Sequence, residues 1–191
     1  MDLKEQPAGR RAFLGMASTG LAATGLALAS GTVSPVKAAS AQGGPLSDVP
    51  IVLPQTEFVY EAICNLQAPL EIGPSPLGDR RMINITGGEF AGPRIKGKVL
   101  PGGADRQLLR KDGIRQLDAL YELQTDDGAI ITVHNKVLID APKDGPRYAF
   151  SQIELTAPTG PHDWLNRRVF VGTLISMQPQ PKVLIRVFSL I

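Results

Sequence analysis

Residues 114–139 read IRQLDALYELQTDDGAIITVHNKVLI, and their pattern decides the fold. Leu117, Ala119, Tyr121 and Leu123 alternate with Asp118, Leu120 and Glu122. A period of two places successive side chains on opposite faces of an extended chain, so residues 114–124 read as a half-buried strand. Asp126-Asp127-Gly128 comes next, with glycine where a tight turn needs a positive φ. Residues 129–139 then form a β-branched run, the return strand of a hairpin.

The same grammar extends in both directions. Upstream, Lys111-Asp112-Gly113 joins a strand at 107–110 to the one at 114–124. Downstream, residues 148–156 alternate again, and 168–177 and 183–190 make a last pair across Gln178-Pro179-Gln180-Pro181. Towards the N-terminus, 94–100 is a strand closed by Pro101-Gly102-Gly103, and 81–86 is one ended by Gly87-Gly88. In the first strand, from Thr56, Phe58, Tyr60, Ala62, Cys64 and Leu66 share a face, with Glu61 and Asn65 on the other. Pro69, Gly73, Pro74, Pro76 and Gly78 break the chain after it. About nine short, closely spaced strands and no helix of ordinary length predict an all-β antiparallel fold. A closed or nearly closed barrel fits best because closure removes exposed edges; a two-sheet sandwich is the alternative.

Before the strands lies a different kind of sequence. Gly9-Arg10-Arg11-Ala12-Phe13-Leu14-Gly15 has the twin-arginine pattern, and an uncharged run of small and apolar residues follows from Met16 to Ala29. That run is too short and too weakly apolar to span a bilayer. Lys37 and then Ala39-Ser40-Ala41, a small-x-small cleavage site, complete the order of a signal peptide. The expected organisation is a signal peptide at 1–41, a linker at 42–55 and a barrel domain at 56–191, with a periplasmic or secreted destination and no membrane association after cleavage.

The 191-residue chain carries 20 basic and 18 acidic residues. The leader holds Lys4, Arg10, Arg11 and Lys37 against Asp2 and Glu5, which leaves 16 of each sign in the remainder. A neutral domain offers no electrostatic case for nucleic acid or an anionic membrane surface. Cys64 is the single cysteine and reads as a small buried hydrophobe. With it, His134 and His162 are too few for a typical structural zinc site, so neither a metal nor a cofactor is expected.

The densest unusual stretch is Gly87-Gly88-Glu89-Phe90-Ala91-Gly92-Pro93-Arg94-Ile95-Lys96-Gly97, followed by Leu100-Pro101-Gly102-Gly103-Ala104-Asp105. It runs into a strand and lacks the Gly-Lys-Ser/Thr ending of a phosphate loop. Its glycines mark either a barrel corner or a ligand-facing bend. With Gly78-Asp79-Arg80, Thr125-Asp126-Asp127-Gly128-Ala129 and Trp164-Leu165-Asn166, these segments resemble the bacterial and fungal proteins grouped as domain of unknown function 3237, also called uncharacterised protein family 0311. The resemblance runs from about Phe58 to the C-terminus and implies a lipocalin-like antiparallel barrel with a cavity, without an agreed reaction. A Trp often follows the aspartate of the Gly-Gly-Ala-Asp motif in that family; Arg106 stands there in this chain.

Several residues are candidates for chemistry. Asp105 is either a general acid or base in an apolar cavity or a turn-capping carboxylate. Arg80 and Arg94 are either clamps for a carboxylate or enolate or outward arginines at strand ends. His134 is a proton shuttle if it faces a cavity, but Lys136 and Asp140 share its parity and suggest the exterior. Trp164 plugs a barrel end or stacks on a ligand, and Asn166 bonds loop backbone or orients a carbonyl. Glu89 is a further candidate ligand contact. No Gly-x-Ser-x-Gly nucleophile elbow is present. Three functions fit: a barrel that binds a small apolar or aromatic molecule; a cofactor-free enzyme using Asp105, Arg80 and Arg94 for proton transfer on a carbonyl compound; and a structural homo-oligomer.

Overall fold

A computed structural model describes residues 44–191. The signal segment and the first residues of the linker lie outside that range. Residues 44–50 form a separate unit and hold a local turn, with the Gly44 N–H donating to Val49 O at 3.2 Å. Residues 51–191 are the barrel domain.

The domain has ten strands: β1 (Thr56–Leu66), β2 (Leu70–Ser75), β3 (Gly78–Ala91), β4 (Lys96–Val99), β5 (Ala104–Arg110), β6 (Arg115–Thr125), β7 (Ile130–Asp140), β8 (Tyr148–Thr156), β9 (Phe170–Ser176) and β10 (Lys182–Leu190). All pairings are antiparallel. They occupy eight wall positions, because two positions hold broken strands. β1 and β2 lie one after the other along β3, with Glu61 opposite Ala91 and Leu70 opposite Met82 and register shifts at Asn65/Leu66 and Glu71/Gly73. β4 and β5 both bridge β3 and β6, separated by the turn around Pro101-Gly102-Gly103. The chain therefore meanders up and down, and β1 closes the wall by pairing with both β10 and β3. Gln55 and Ile191 exchange backbone hydrogen bonds of 3.2 and 2.9 Å just beyond the β1–β10 ladder.

Closure makes the alternation meaningful. Leu117, Ala119, Tyr121 and Leu123 point inward, as do Ile131, Val133, Asn135, Val137 and Ile139 on β7 and Ala149, Ser151, Ile153 and Leu155 on β8. At one end a large core gathers Tyr60, Phe90, Leu123, Ile131, Leu155 and Phe170. A short 3-10 helix, Asp163–Arg167, closes that end: Leu165 is 1% exposed and Trp164 packs on the core. At the other end a small cluster holds Leu117, Val137, Ile139, Ala149 and Leu174.

Three expectations are corrected. The segment after Pro69 is a strand, not a break: β2 pairs only with β3, so Pro74 sits on an edge where its missing N–H costs no ladder bond. The strand at 81–86 runs through Gly87-Gly88 to Ala91. A bulge between Phe58 and Tyr60 also breaks the parity of β1, so Val59 and Tyr60 are both buried while Phe58 turns outward against Phe188, ring centroids 5.9 Å apart.

The glycine-rich segment owes its composition to neighbouring backbone. A Cβ on Gly88 would lie 2.0 Å from the Ile63 carbonyl oxygen, and one on Gly97 2.0 Å from that of Gln124. Strands cross too closely there for any side chain. None of residues 87–97 lines the cavity or the groove described below.

Candidate functional site

The 3-10 helix blocks one end, so access is from the other. There the loops 67–69, 140–147 and 177–181 surround an internal cavity of about 330 Å³. Its walls come from inward positions of β1, β3, β5, β6, β7, β9 and β10. Ile83, Ile85, Leu117, Ala119, Val137 and Ile185 supply an apolar surface. A larger groove of about 1040 Å³ runs over the outside, lined mainly by outward side chains such as Arg106, Lys136, Leu138 and Phe150. The inner cavity is the better site because it is more enclosed and gathers the buried polar side chains of Asp105, Gln107 and Asn135.

Asp105 faces this cavity from β5 and is 9% exposed. Its carboxylate accepts from the Gln107 side-chain amide at 2.5 Å and from the Asp118 backbone N–H at 3.1 Å. Gln107 in turn accepts from Arg81 Nε at 2.8 Å, making a chain from Arg81 through Gln107 to Asp105. Burial raises the Asp105 carboxyl above the usual carboxylate range; the two hydrogen bonds and the Arg81 charge pull the other way without cancelling it. A carboxyl so placed is suited to a general acid or base role.

Deeper in, Asn135 Oδ1 is buried without a hydrogen-bond partner among the described residues, and the buried Tyr121 hydroxyl lies beside that of Tyr60. Asn135 and Tyr121 line the cavity. Burial lifts the Tyr121 hydroxyl well above its ordinary value, so it remains a neutral donor. The Cys64 thiol, pushed up to about 12 by burial, stays protonated and is not a nucleophile.

Around the mouth stand Arg81, Arg115, Arg147 and Lys182. Sequence reasoning missed all four. Two were within reach: Arg115 continues the inward parity of Leu117 and Ala119, and Arg81 that of Ile83 and Ile85.

The remaining candidates lie elsewhere. Asp105, Arg80 and Arg94 do not converge. Arg80 is one residue out of phase with the interior of β3 and lines the outer groove. Arg94 stacks over Trp164 at the closed end, its guanidinium carbon 3.9 Å from the ring centroid. Trp164 is thus part of the plug. Asn166 accepts from the Ala157 N–H at 2.9 Å and donates to Ala157 O at 3.0 Å, tying the plug to the chain after β8. Glu89 is exposed on the outer face. His134 is also outside, with Nε2 at 2.6 Å from Asp118 and Nδ1 at 3.9 Å from Glu154. His162 is buried beside Asp127, with Nε2 2.9 Å from its nearer carboxylate oxygen. Among the described residues, no group of three or more His, Cys, Asp or Glu could hold a metal ion, and no helix is long and apolar enough to cross a membrane.

The wall order and the one-ended cavity define a closed up-and-down β-barrel of lipocalin-like form. The chain belongs to the family described as protein of unknown function (DUF3237), whose model matches residues 54–190. A UPF0311 protein of Rhodopseudomonas palustris (strain TIE-1) is 32% identical over 136 residues, which is 62% of this chain and 86% of that protein. The crystal structure of a β-barrel-like protein from Acinetobacter baumannii superposes with a TM-score of 0.67 at 29% identity, covering 74% of this chain and 98% of the other. An enzyme from Penicillium herquei has the same fold, with a TM-score of 0.61 at 23% identity over 74% of this chain and 97% of its own.

Proposed function

We propose that the barrel is a receptor for a small amphipathic molecule with an apolar or aromatic body, bound inside the wall at the open end. One observation carries this reading: a cavity of about 330 Å³ presents an apolar surface together with the unpartnered Asn135 Oδ1. Buried polar groups of this kind ordinarily have partners, and a ligand supplies them. The test is calorimetric titration of the full chain with a panel of small aromatic and aliphatic compounds, beside Ala119→Phe, which fills the cavity floor. Binding that Ala119→Phe removes supports the reading. Absence of heat and of thermal shift across the panel sinks it. Trp164 fluorescence is a poor reporter because the indole lies at the opposite end.

The position of Asp105 favours a second reading of the same cavity, cofactor-free proton transfer on a carbonyl compound, such as isomerisation, dehydration or cyclisation. Asp105 moves the proton, and Arg81 and Arg115, rather than Arg80 and Arg94, stabilise developing oxyanion charge. Asp105→Asn then loses turnover and retains binding; turnover equal to wild type removes the assignment. Exposed Leu138, Tyr148 and Phe150 on the outer face are the support for a homo-oligomer, which a monomeric sedimentation coefficient removes. Export by the twin-arginine route is proposed on the leader sequence alone. Arg10→Lys with Arg11→Lys should hold the precursor inside the cell, and wild-type export of that variant refutes the route.

A further inference from the structure

The mouth of the cavity has a charge pattern that an uncharged ligand does not answer. Arg81, Arg115, Arg147 and Lys182 line it, and Asp105 is the one carboxylate in the lining. None of the four cations has a carboxylate within 4.0 Å among the described residues, although four other lysine or arginine side chains pair with carboxylates there. Arg81 uses Nε on Gln107, and Arg147 uses Nη1 on the Leu174 carbonyl at 3.0 Å, which steadies both heads. The side chains of Arg115 and Lys182 donate to no protein acceptor among the described residues. Burial, and then the charges of Arg81 and Arg147, lower the pKa of the Arg115 guanidinium, with the Asp105 charge pulling the other way, so the three arginines repel one another across the opening. An anion between them relieves that repulsion and satisfies the fixed donor forks of arginine.

The strands also set the depth of each group. On β6, Arg115, Leu117 and Ala119 share the inner face, and on β3 so do Arg81, Ile83 and Ile85. Same-face neighbours lie about 7 Å apart along a strand. Each strand thus offers a cation at the rim and apolar surface one step below it. Asp105 is paired with Ala119, two such steps below Arg115, so it faces the body of a bound molecule rather than its head.

Resting on the reading of the barrel as a small-molecule receptor, we propose that its ligand is a small organic carboxylate. The carboxylate is held at the rim by Arg81, Arg115, Arg147 and Lys182, and the apolar body lies against Leu117, Ala119 and Ile185. A bare inorganic anion would leave the apolar surface unused. A neutral molecule would leave four cationic groups at the mouth with the single carboxylate of Asp105 to answer them.

The test is calorimetric titration of the full chain with cinnamate, phenylacetate and octanoate, each against its own primary amide, and with inorganic phosphate. At least one carboxylate should bind about tenfold or more tighter than its amide, with an affinity that falls as salt is raised. Arg115→Gln should lower carboxylate affinity about tenfold and leave amide binding within about twofold. Arg147→Gln, at an exposed position on the rim, should do the same and guards against misfolding of the first variant. Amides binding as tightly as carboxylates would overturn the carboxylate assignment and leave the receptor reading intact. Phosphate binding as tightly as the best carboxylate would also overturn it. Heat from none of the probes would overturn both readings together.

Discussion

Gly88→Ala tests how the barrel is sealed. Gly88 sits in β3 opposite Cys64 of β1, on the seam where the wall closes. Its φ is +148°, and a Cβ there would lie 2.0 Å from Ile63 O, 3.0 Å from Ile63 C and 3.1 Å from Cys64 Cα. All three are backbone or fixed by it, so β1 must retreat or β3 must twist. A sparsely populated backbone angle costs about 1–3 kcal/mol. Overpacking against fixed atoms costs about another 1–3 kcal/mol. The expected loss is therefore about 4 kcal/mol, a fall of roughly 15 °C in Tm for a domain of this size. Gly128→Ala is the matched control: its φ is +90°, and a Cβ there meets nothing within 4 Å. It bears the backbone cost alone, about 1–2 kcal/mol. Urea denaturation of both full-length variants, followed by near-ultraviolet circular dichroism, measures the difference. A Gly88→Ala midpoint no lower than that of Gly128→Ala would refute close strand approach as the reason for glycine at the seam.

Three further outcomes are expected. Because the folded-state pKa of Asp105 is raised, the folded protein holds that proton more tightly than the unfolded chain, so this group makes stability decline as pH rises from the ordinary carboxylate value through its folded value. Asp105→Asn should flatten that decline in urea titrations run from pH 4 to pH 7 (about the carboxylate range and above); parallel curves for the two proteins would contradict the burial argument. Asn166→Ala strips both partners from the nearly buried Ala157 backbone and should cost about 2 kcal/mol in the same assay. Arg94→Ala should cost only about 0.5–1 kcal/mol but shift the Trp164 emission, with no change in ligand affinity at the far end.

The fold was legible where one face is buried and the other wet. The parity of residues 117–123 and 131–139 holds residue for residue because β6 and β7 pair in a long ladder without register shifts, and β7 continues so with β8. It failed at Phe58, where a bulge inserts one residue, and at residues 70–75, where an edge strand tolerates the proline and glycine that otherwise signal a break. The site was legible in part. Asp105 lies in the cavity, as one of its two readings required. Arg80 was a single position from the inward Arg81, and the alternation of Ile83 and Ile85 separates them. Arg147 lies just outside any periodic run and Lys182 at the very start of one, so their approach to Arg115 depends on closure of the wall, which no local pattern encodes.

The hydrogen-bonded pair between Gln55 and Ile191 has a consequence of its own. The two ends of the barrel domain meet side by side, so its wall is a ring in which no strand is first. A short linker from Ile191 to Gln55, with new termini opened at the exposed Lys111-Asp112-Gly113 turn, should yield a circular permutant with the same neighbours around the ring. The original start would then lie in the middle of the chain, and the mouth with its four cations would be rebuilt from the two halves.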